Sequence, residues 1–175
     1  MFGYEKISMR PVEARDLEKI RNLRNEQSTW QYLSDASLIS ESMQHQWFDN
    51  LTRTMDERYY TIEKTKDGVF LGVIRTDQID LKNRSIRVGC DIIPSERGKG
   101  YGTTAFHMIL RYFFIYNSYH RLWLCVLDNN EIAKKLYKNV GFKEEGRLRE
   151  AIWREGKWHD YIVMSILEEE YKEDK

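Results

Sequence analysis

An α/β fold is predicted for this chain by three stretches of its sequence. From Ile86 to Ile93 apolar and polar residues alternate, Pro94 stops the alternation, and glycines follow at 98, 100 and 102. Beyond Thr103 the apolar residues Ala105, Phe106, Ile109, Leu110 and Phe113 recur at helical spacing, so the segment reads as strand, glycine-rich turn and helix start. Tyr59 to Lys64 and Val69 to Asp77 form a second signature, a hairpin around Lys66-Asp67-Gly68 with a type I′-like turn. The third is a strand from Arg121 to Leu127 followed by a helix from Asn130 to Asn139 that Gly141 closes. A chain of 175 residues suits a single domain over 1–175.

The remaining elements follow in order. Ile7 to Pro11 reads as a short strand, and Ala14 opens a helix whose Leu17, Ile20 and Leu23 share a face; Asp16 sits near its start, and Arg24-Asn25 ends it. Trp30, Tyr32 and Leu33 fall in a loop. A second helix runs from Ser40 or Glu41 to Leu51 or Arg53, with Ser40 as N-cap and Met43, Trp47, Phe48 and Leu51 on one side. Gly72 marks a bulge or a close approach of two backbones. A turn at Asp80 to Arg84 returns the chain into the strand where Ile86, Val88, Cys90 and Ile92 face one way, and Arg87, Gly89, Asp91 and Ile93 the other. Phe142 to Glu145, Leu148 to Trp153 and Tyr161 to Leu167 read as strands, the last two about the turn Glu155-Gly156-Lys157. The charged tail 168–175 is expected to fray.

Composition narrows the functional classes. The 28 Lys and Arg balance 28 Asp and Glu in an interspersed pattern, which indicates neither a nucleic-acid surface nor a membrane face. The longest apolar runs fall short of a membrane span, and Met-Phe-Gly-Tyr-Glu-Lys is no signal peptide, so a cytoplasmic protein is expected. Cys90 and Cys125 stand alone within strands, and the 4 histidines are scattered, so neither a disulfide nor a metal site is expected.

Glycines at a helix start let backbone N–H groups converge where the helix dipole favours an anion, and Arg97 and Lys99 add positive charge. The spacing fits neither the P-loop nor the dinucleotide fingerprint. Arg97-x-x-Gly100-x-Gly102 resembles the acetyl-coenzyme A pyrophosphate loop of the GNAT superfamily of N-acetyltransferases. Downstream, Asn130-x-x-Ala133-x-x-x-Tyr137-x-x-x-Gly141-Phe142 is similar to that family's second coenzyme A motif. The resemblance implies a mixed, mostly antiparallel, strongly twisted sheet with helices on both faces, and acetyl-CoA as acetyl donor. It implies that Ile92 and Ile93, the loop Arg97, Gly98, Lys99, Gly100, Tyr101 and Gly102, and Asn130 with Ala133 hold the donor, and that Tyr137 protonates the departing thiolate.

The acceptor is read from weaker signals. The first two helices border the acceptor pocket in this family, which directs attention to Arg24, Asn25, Trp30, His45 and Trp47, although Trp47 and Phe48 also suit core packing and His45 a solvated helix face. An alkylammonium must lose a proton before it can attack, and His45, Asp91 and Glu41 are the candidate bases, with His120 behind them. Ribosomal-protein and polyamine acetyltransferases often carry a carboxylate in the strand where this chain has Arg87. An arginine there suits an acceptor with phosphates, and Arg24-Asn25 with His45-x-Trp47-Phe48 resembles the amino-sugar acetyltransferases of the superfamily, so a primary amine of a small molecule, an amino sugar or nucleotide-linked amino sugar, is the first expectation. Glu145-Gly146-Arg147-Leu148-Arg149-Glu150-Ala151 resembles the protein N-terminal and polyamine branch instead, which stands as the alternative. Direct transfer in a ternary complex is expected rather than a route through Cys90 or Cys125. A binding module that senses acyl-CoA without catalysis is the reading of another class. Trp153 and Trp158 could serve a homodimer interface or merely pack their hairpin.

Overall fold

The computed structural model describes residues 1–51, 53–54 and 56–172. The strands β1 (Phe2–Tyr4), β2 (Ile7–Pro11), β3 (Arg58–Lys64), β4 (Phe70–Asp80), β5 (Ser85–Ile92), β6 (Arg121–Leu127), β7 (Lys143–Arg154) and β8 (Lys157–Leu167) form one sheet. Their order is β1-β2-β3-β4-β5-β6-β8-β7, and every pairing is antiparallel except β5 with β6. Among the described residues they are joined by the α-helices α1 (Leu17–Asn25), α2 (Gln27–Trp30), α3 (Glu41–Leu51), α4 (Tyr101–Arg111) and α5 (Glu131–Asn139), with α4 continued by a π-helical turn over Tyr112–Tyr116.

Both faces of the sheet are covered, because strand alternation sends apolar side chains to either side. The larger core joins Ile7, Met9, Ile62, Leu71, Ile74, Ile86 and Val88 of the sheet to Phe106, Ile109 and Leu110 of α4. A smaller one packs Leu17, Ile20 and Leu23 of α1 on Phe70 and Val73, with Trp47 and Phe48 of α3 at its margin. Leu71 and Ile74 share a face although three residues apart, because the register slips at Gly72: Ile62 pairs with Gly72 and Glu63 with Phe70. Gly72 has φ +157°, and a Cβ there would stand 2.0 Å from the Asp91 carbonyl oxygen, so the expected close approach is present.

Several local expectations change. The β3–β4 turn keeps positive φ only at Gly68, whereas type I′ needs it at two successive residues; Gly68 N–H closes the loop on Lys64 O at 2.9 Å. Residues 27–30 form a helical turn rather than a loop, held by Thr29, which is 4% exposed. On α3 Gln44 is buried and Met43 exposed, so the buried stripe is rotated from the one the apolar pattern suggests. Ser40 caps that helix as expected, its hydroxyl accepting from Met43 N–H at 3.2 Å. Strand β1 has no strong sequence signature and owes its existence to pairing with β2. Strand β7 is continuous from 143 to 154, with one register shift between Glu144 and Gly146, next to the break the sequence suggests, and a second between Leu148 and Ile152. Residues 168–170 form a 3₁₀ turn and Tyr171 packs against Phe114, so the start of the tail is seated; residues 173–175 lie outside the described residues.

Candidate active site

Strand β5 is paired on both sides for only part of its length. It meets β6 at Ser85, Ile86 and Arg87, opposite Arg121, Leu122 and Trp123, and from Val88 onward the two strands diverge. Against β4 it stays paired to its end, and Ile93 N–H donates to Leu71 O at 2.9 Å. Antiparallel bonding alternates, so the backbone groups of Val88, Cys90 and Ile92 face the gap beside β6. The result is a wedge-shaped opening with one unpaired strand edge as its wall. Ile92 lends that edge a carbonyl, which accepts from Arg97 Nε at 2.8 Å, whereas both backbone groups of Ile93 are engaged, by Leu71 and by Glu96 N–H.

The wide end of the wedge is closed by the glycine turn and two helix starts. Gly98 (φ +75°) and Gly100 (φ +83°) are left-handed, with open space where a Cβ would lie, so backbone conformation demands them. Helix α4 begins at Tyr101, earlier than the apolar pattern suggests, and the N–H groups of its first turn have no acceptor within the helix. Gly102 therefore lies inside α4; a Cβ there would come 3.0 Å from the Leu136 side chain, so this glycine lets α4 and α5 approach. Arg97 does not point freely at an anion: its guanidinium donates to Ser28 O, Ser28 Oγ (2.9 Å) and Thr29 Oγ1 (2.6 Å), tying the turn to α2. Lys99 pairs with Glu96 at 3.1 Å, and Lys6 and Lys64 stand over the Tyr101 ring at 4.8 and 5.6 Å.

Asn130 is the N-cap of α5, its side-chain oxygen accepting from Ala133 N–H at 3.1 Å. Two turns along that helix Tyr137 packs edge-on against Phe106 (5.0 Å) and near Phe142 (5.9 Å). Burial pushes its phenol well above the usual range; the Arg75 cation pulls the other way, and Asp91 and Cys90 add to the rise.

On the opposite face of β4 and β5 lies a row of charge. Arg75 stands across from Gly89, Asp77 from Arg87 and Val73 from Asp91. The Arg75 guanidinium passes over Gly89, where a Cβ would lie 2.9 Å from its central carbon, and ion-pairs with Asp91. Arg87 grips Asp77 with two bonds of 2.5 and 2.6 Å and lies over the Trp123 ring. A pocket at the narrow end of the wedge is lined by Arg75, Asp77, Arg87, Gly89, Cys125 and Tyr161, with Tyr32 to Ser34 as its roof. A wider groove continues past Asp77 and Arg87 to Asn50, Asp56, Glu57 and Gln78. Burial, then the neighbouring Asp77, raises the Glu57 carboxyl, against an opposing hydrogen bond from Trp47. No motif announces Glu57; only its place at the start of β3 beside Asp77 reveals it.

The other residues that the sequence singles out for the acceptor divide by what they touch. Trp47 stacks edge-on against Tyr59 at 4.8 Å and touches the groove through Glu57. Asn25 spends both ends of its amide on Ile39, donating to its carbonyl (2.8 Å) and accepting from its N–H (2.7 Å), so it fixes the loop before α3. Arg24 and Trp30 are half-buried at the end of α1 and in α2. His45 is exposed on α3, 3.9 Å from Glu41 and turned to solvent, and Asp91 is committed to Arg75. Arg154 of β7 holds the roof by donating to Leu33 O at 2.6 Å and Ser34 O at 3.2 Å. Burial raises both cysteine thiols, which disfavours the thiolate a covalent route needs. Trp153 and Trp158 pack on each other at 5.2 Å in the β7–β8 hairpin and stay half exposed. Among the described residues no group of acids, histidines and cysteines could hold a metal ion, and no helix is long and apolar enough to cross a membrane.

Comparison with known proteins agrees with this geometry. A family model described as an acetyltransferase (GNAT) domain matches residues 6–143. The chain is similar to the spermidine N(1)-acetyltransferase of Vibrio cholerae, 28% identical over 165 residues that cover 94% of this chain and 95% of the relative. It is 27% identical to a putative ribosomal N-acetyltransferase of Bacillus subtilis, over 98% of this chain and 96% of the relative. Among solved structures, the Vibrio cholerae spermidine N-acetyltransferase in complex with CoA and spermine superposes with a TM-score of 0.90 at 27% identity, covering 94% of this chain and 97% of that one.

Proposed function

The chain belongs to the GNAT acetyltransferase family, and from that premise we propose that it acetylates a primary amine of a polycationic, polyamine-like acceptor, with acetyl-CoA as donor. Acetyl-CoA supplies an acetyl group activated as a thioester. The chain's own features fit that donor: the open edge of Val88, Cys90 and Ile92 offers backbone partners to an extended amide-bearing arm, and the first turn of α4 offers unpaired N–H groups to a diphosphate. In this reading Tyr137 Oη gives its proton to the departing sulfur. Asn130 shapes the start of α5 so that the phenol is presented to the wedge, and Arg97 holds the glycine turn in place rather than meeting the phosphates.

The observation that carries the acceptor class is the Arg87–Asp77 pair. The expectation of an acceptor bearing phosphates takes Arg87 as a free cation. Its charge is answered by Asp77 at 2.5 Å, and the adjoining groove presents Asp56 and Glu57 as well. A surface of that sign attracts a cationic amine. An ammonium must also lose a proton, and Glu57 lines the groove beside Asp77, its carboxyl raised by burial, whereas His45 is turned to solvent. The ribosomal relative supports a second reading, in which the acceptor is a protein N-terminal amine.

Thiol release from acetyl-CoA with spermidine, a nucleotide-linked amino sugar and a basic N-terminal peptide, compared as kcat/KM, tests the assignment. Spermidine is expected to lead by at least a factor of about 10, the effect of one well-placed charge pair. Faster turnover of the peptide selects the second reading, and faster turnover of the amino sugar rejects both.

A further inference from the structure

We propose that Arg154, at the end of β7, is a positioning residue for acceptor selection: it seats residues 31–38 as a strap over the pocket that the reading above gives to the acceptor amine. The strap is pinned at both ends. Ahead of it, the Arg97 guanidinium holds α2 through Ser28 O (3.1 Å), Ser28 Oγ and Thr29 Oγ1, and Thr29 is buried. Behind it, both ends of the Asn25 amide are bonded to Ile39. Between these anchors the chain has little of its own to hold it. Among the described residues, 34–38 join no backbone–backbone hydrogen bond, and Ser37 N–H turns back to the Asp35 carboxylate at 2.8 Å. Such a segment lies where side chains place it.

Two ties seat its middle. One is the Leu33 side chain, which is 6% exposed. The other is Arg154, whose Nη2 donates to Leu33 O and Ser34 O, while Nη1 donates to Trp153 O at 3.0 Å on its own strand. The Nε of the same guanidinium is shut off from solvent without a hydrogen-bond partner. Leaving a buried donor unpaired is costly, and the charge-assisted bonds to the two carbonyls offset that cost. Leu33 and Ser34, which receive those bonds, line the pocket together with Asp77, Arg87 and Tyr161. Because Arg154 binds main chain, it sets how closely the roof approaches the sheet whatever side chains the roof carries. Without that tie the strap keeps its ends and loses its seat. Acceptor binding then weakens, whereas the open edge of β5 and the first turn of α4 are untouched.

Steady-state kinetics and amide hydrogen exchange, read together, test this, with thermal melts confirming that each variant is folded. In Arg154→Met, exchange in peptides covering 31–38 should quicken on the order of 10-fold, and KM for spermidine should rise by a similar factor, the worth of one charge-assisted hydrogen bond, with kcat and KM for acetyl-CoA unchanged. Arg154→Lys, which still presents a charged donor, should restore part of both. Arg154→Gln keeps a neutral donor and covers the case that Arg154→Met does not fold; it should fall between Arg154→Met and the natural protein. Unchanged exchange would mean that Leu33 alone seats the strap, and would overturn the proposal. A fall in KM for spermidine in Arg154→Met and Arg154→Gln would overturn it too, since the arginine would then act only by repelling a cation. Faster exchange with that KM unchanged overturns it if Asp77→Asn, within the same pocket, raises the KM; if Asp77→Asn leaves it unchanged as well, the reading of the pocket falls instead.

Discussion

Arg10 and Arg75 each cross the sheet to a carboxylate, yet they sit in different surroundings. Arg10 of β2 binds Asp16 through two nitrogens (2.7 and 2.9 Å) and Glu63 through two more bonds (3.0 and 2.6 Å). Asp16, 2% exposed, is completed by Glu13 N–H and the Thr61 hydroxyl. Nearly every donor and acceptor in that cluster is used, and it staples the start of α1 to β2 and β3. Among the described residues Arg75 hydrogen-bonds only to Asp91, and the rest of its guanidinium faces a pocket. A saturated arginine holds a fold together, whereas one with donors directed into a cavity is available to chemistry.

The contrast can be broken most forcefully at the first cluster. Asp16→Ala leaves the Arg10 guanidinium short of a partner in a buried site and should destabilise the protein by about 3–5 kcal/mol, with kcat of the folded fraction unchanged; urea unfolding measures the first and initial rates the second. A loss in rate as well would mean that the Arg10 cluster serves the reaction. The same cluster carries a pH signature. Burial raises the Asp16 carboxyl, but its bonds to Arg10, Glu13 and Thr61 outweigh this and hold it below its ordinary value. Its contribution to stability is therefore complete above about pH 4 and is lost as pH falls through the lowered folded value. Asp16→Asn should flatten the acid-side fall in melting temperature.

Glu57 sharpens the other side of the comparison. Burial raises its carboxyl above its ordinary value, so in the proposed role of base it would lose effectiveness as pH falls through that raised value. Glu57→Gln should lower kcat/KM on the order of 10-fold or more and remove the acid limb of the pH profile; a limb that persists assigns the base elsewhere. Gly72→Ala should cost about 1–3 kcal/mol, because the Asp91 carbonyl must move, and should raise KM for acetyl-CoA by tilting the open half of β5. The smallest effect belongs to Asn130→Ala, a lost cap worth about 1 kcal/mol with a modest rise in the same KM.

How far the sequence reveals the site depends on how local each part is. The glycine turn, the strand before it and the Asn130 to Gly141 helix can be read from spacing, because left-handed backbone, helix caps and strand alternation are properties of neighbouring residues. The proposed donor contacts lie mostly in that backbone, which is why the sequence points to them. The functions of individual side chains in the same stretch were not: Arg97 and Gly102 look like anion contacts, but one ties the turn to α2 and the other makes room between two helices. The acceptor side was least legible, since Asn25, His45 and Asp91 look chemically free until the partners that occupy or expose them are known.

By itself, then, the sequence determined the α/β succession, the strand–turn–helix proposed to receive the donor, and Tyr137 at its place on α5, each through patterns spanning a few residues. Tertiary structure alone decided that β5 parts from β6 after Arg87, that Asp77 neutralises Arg87, and that Arg75 crosses Gly89 to reach Asp91. Those outcomes depend on strand order and register, which bring together residues 10 and 16 positions apart in the chain. Charge in an isolated sequence has a sign but no neighbour, and the neighbour decides whether an arginine selects a phosphate, silences a carboxylate or seats a loop.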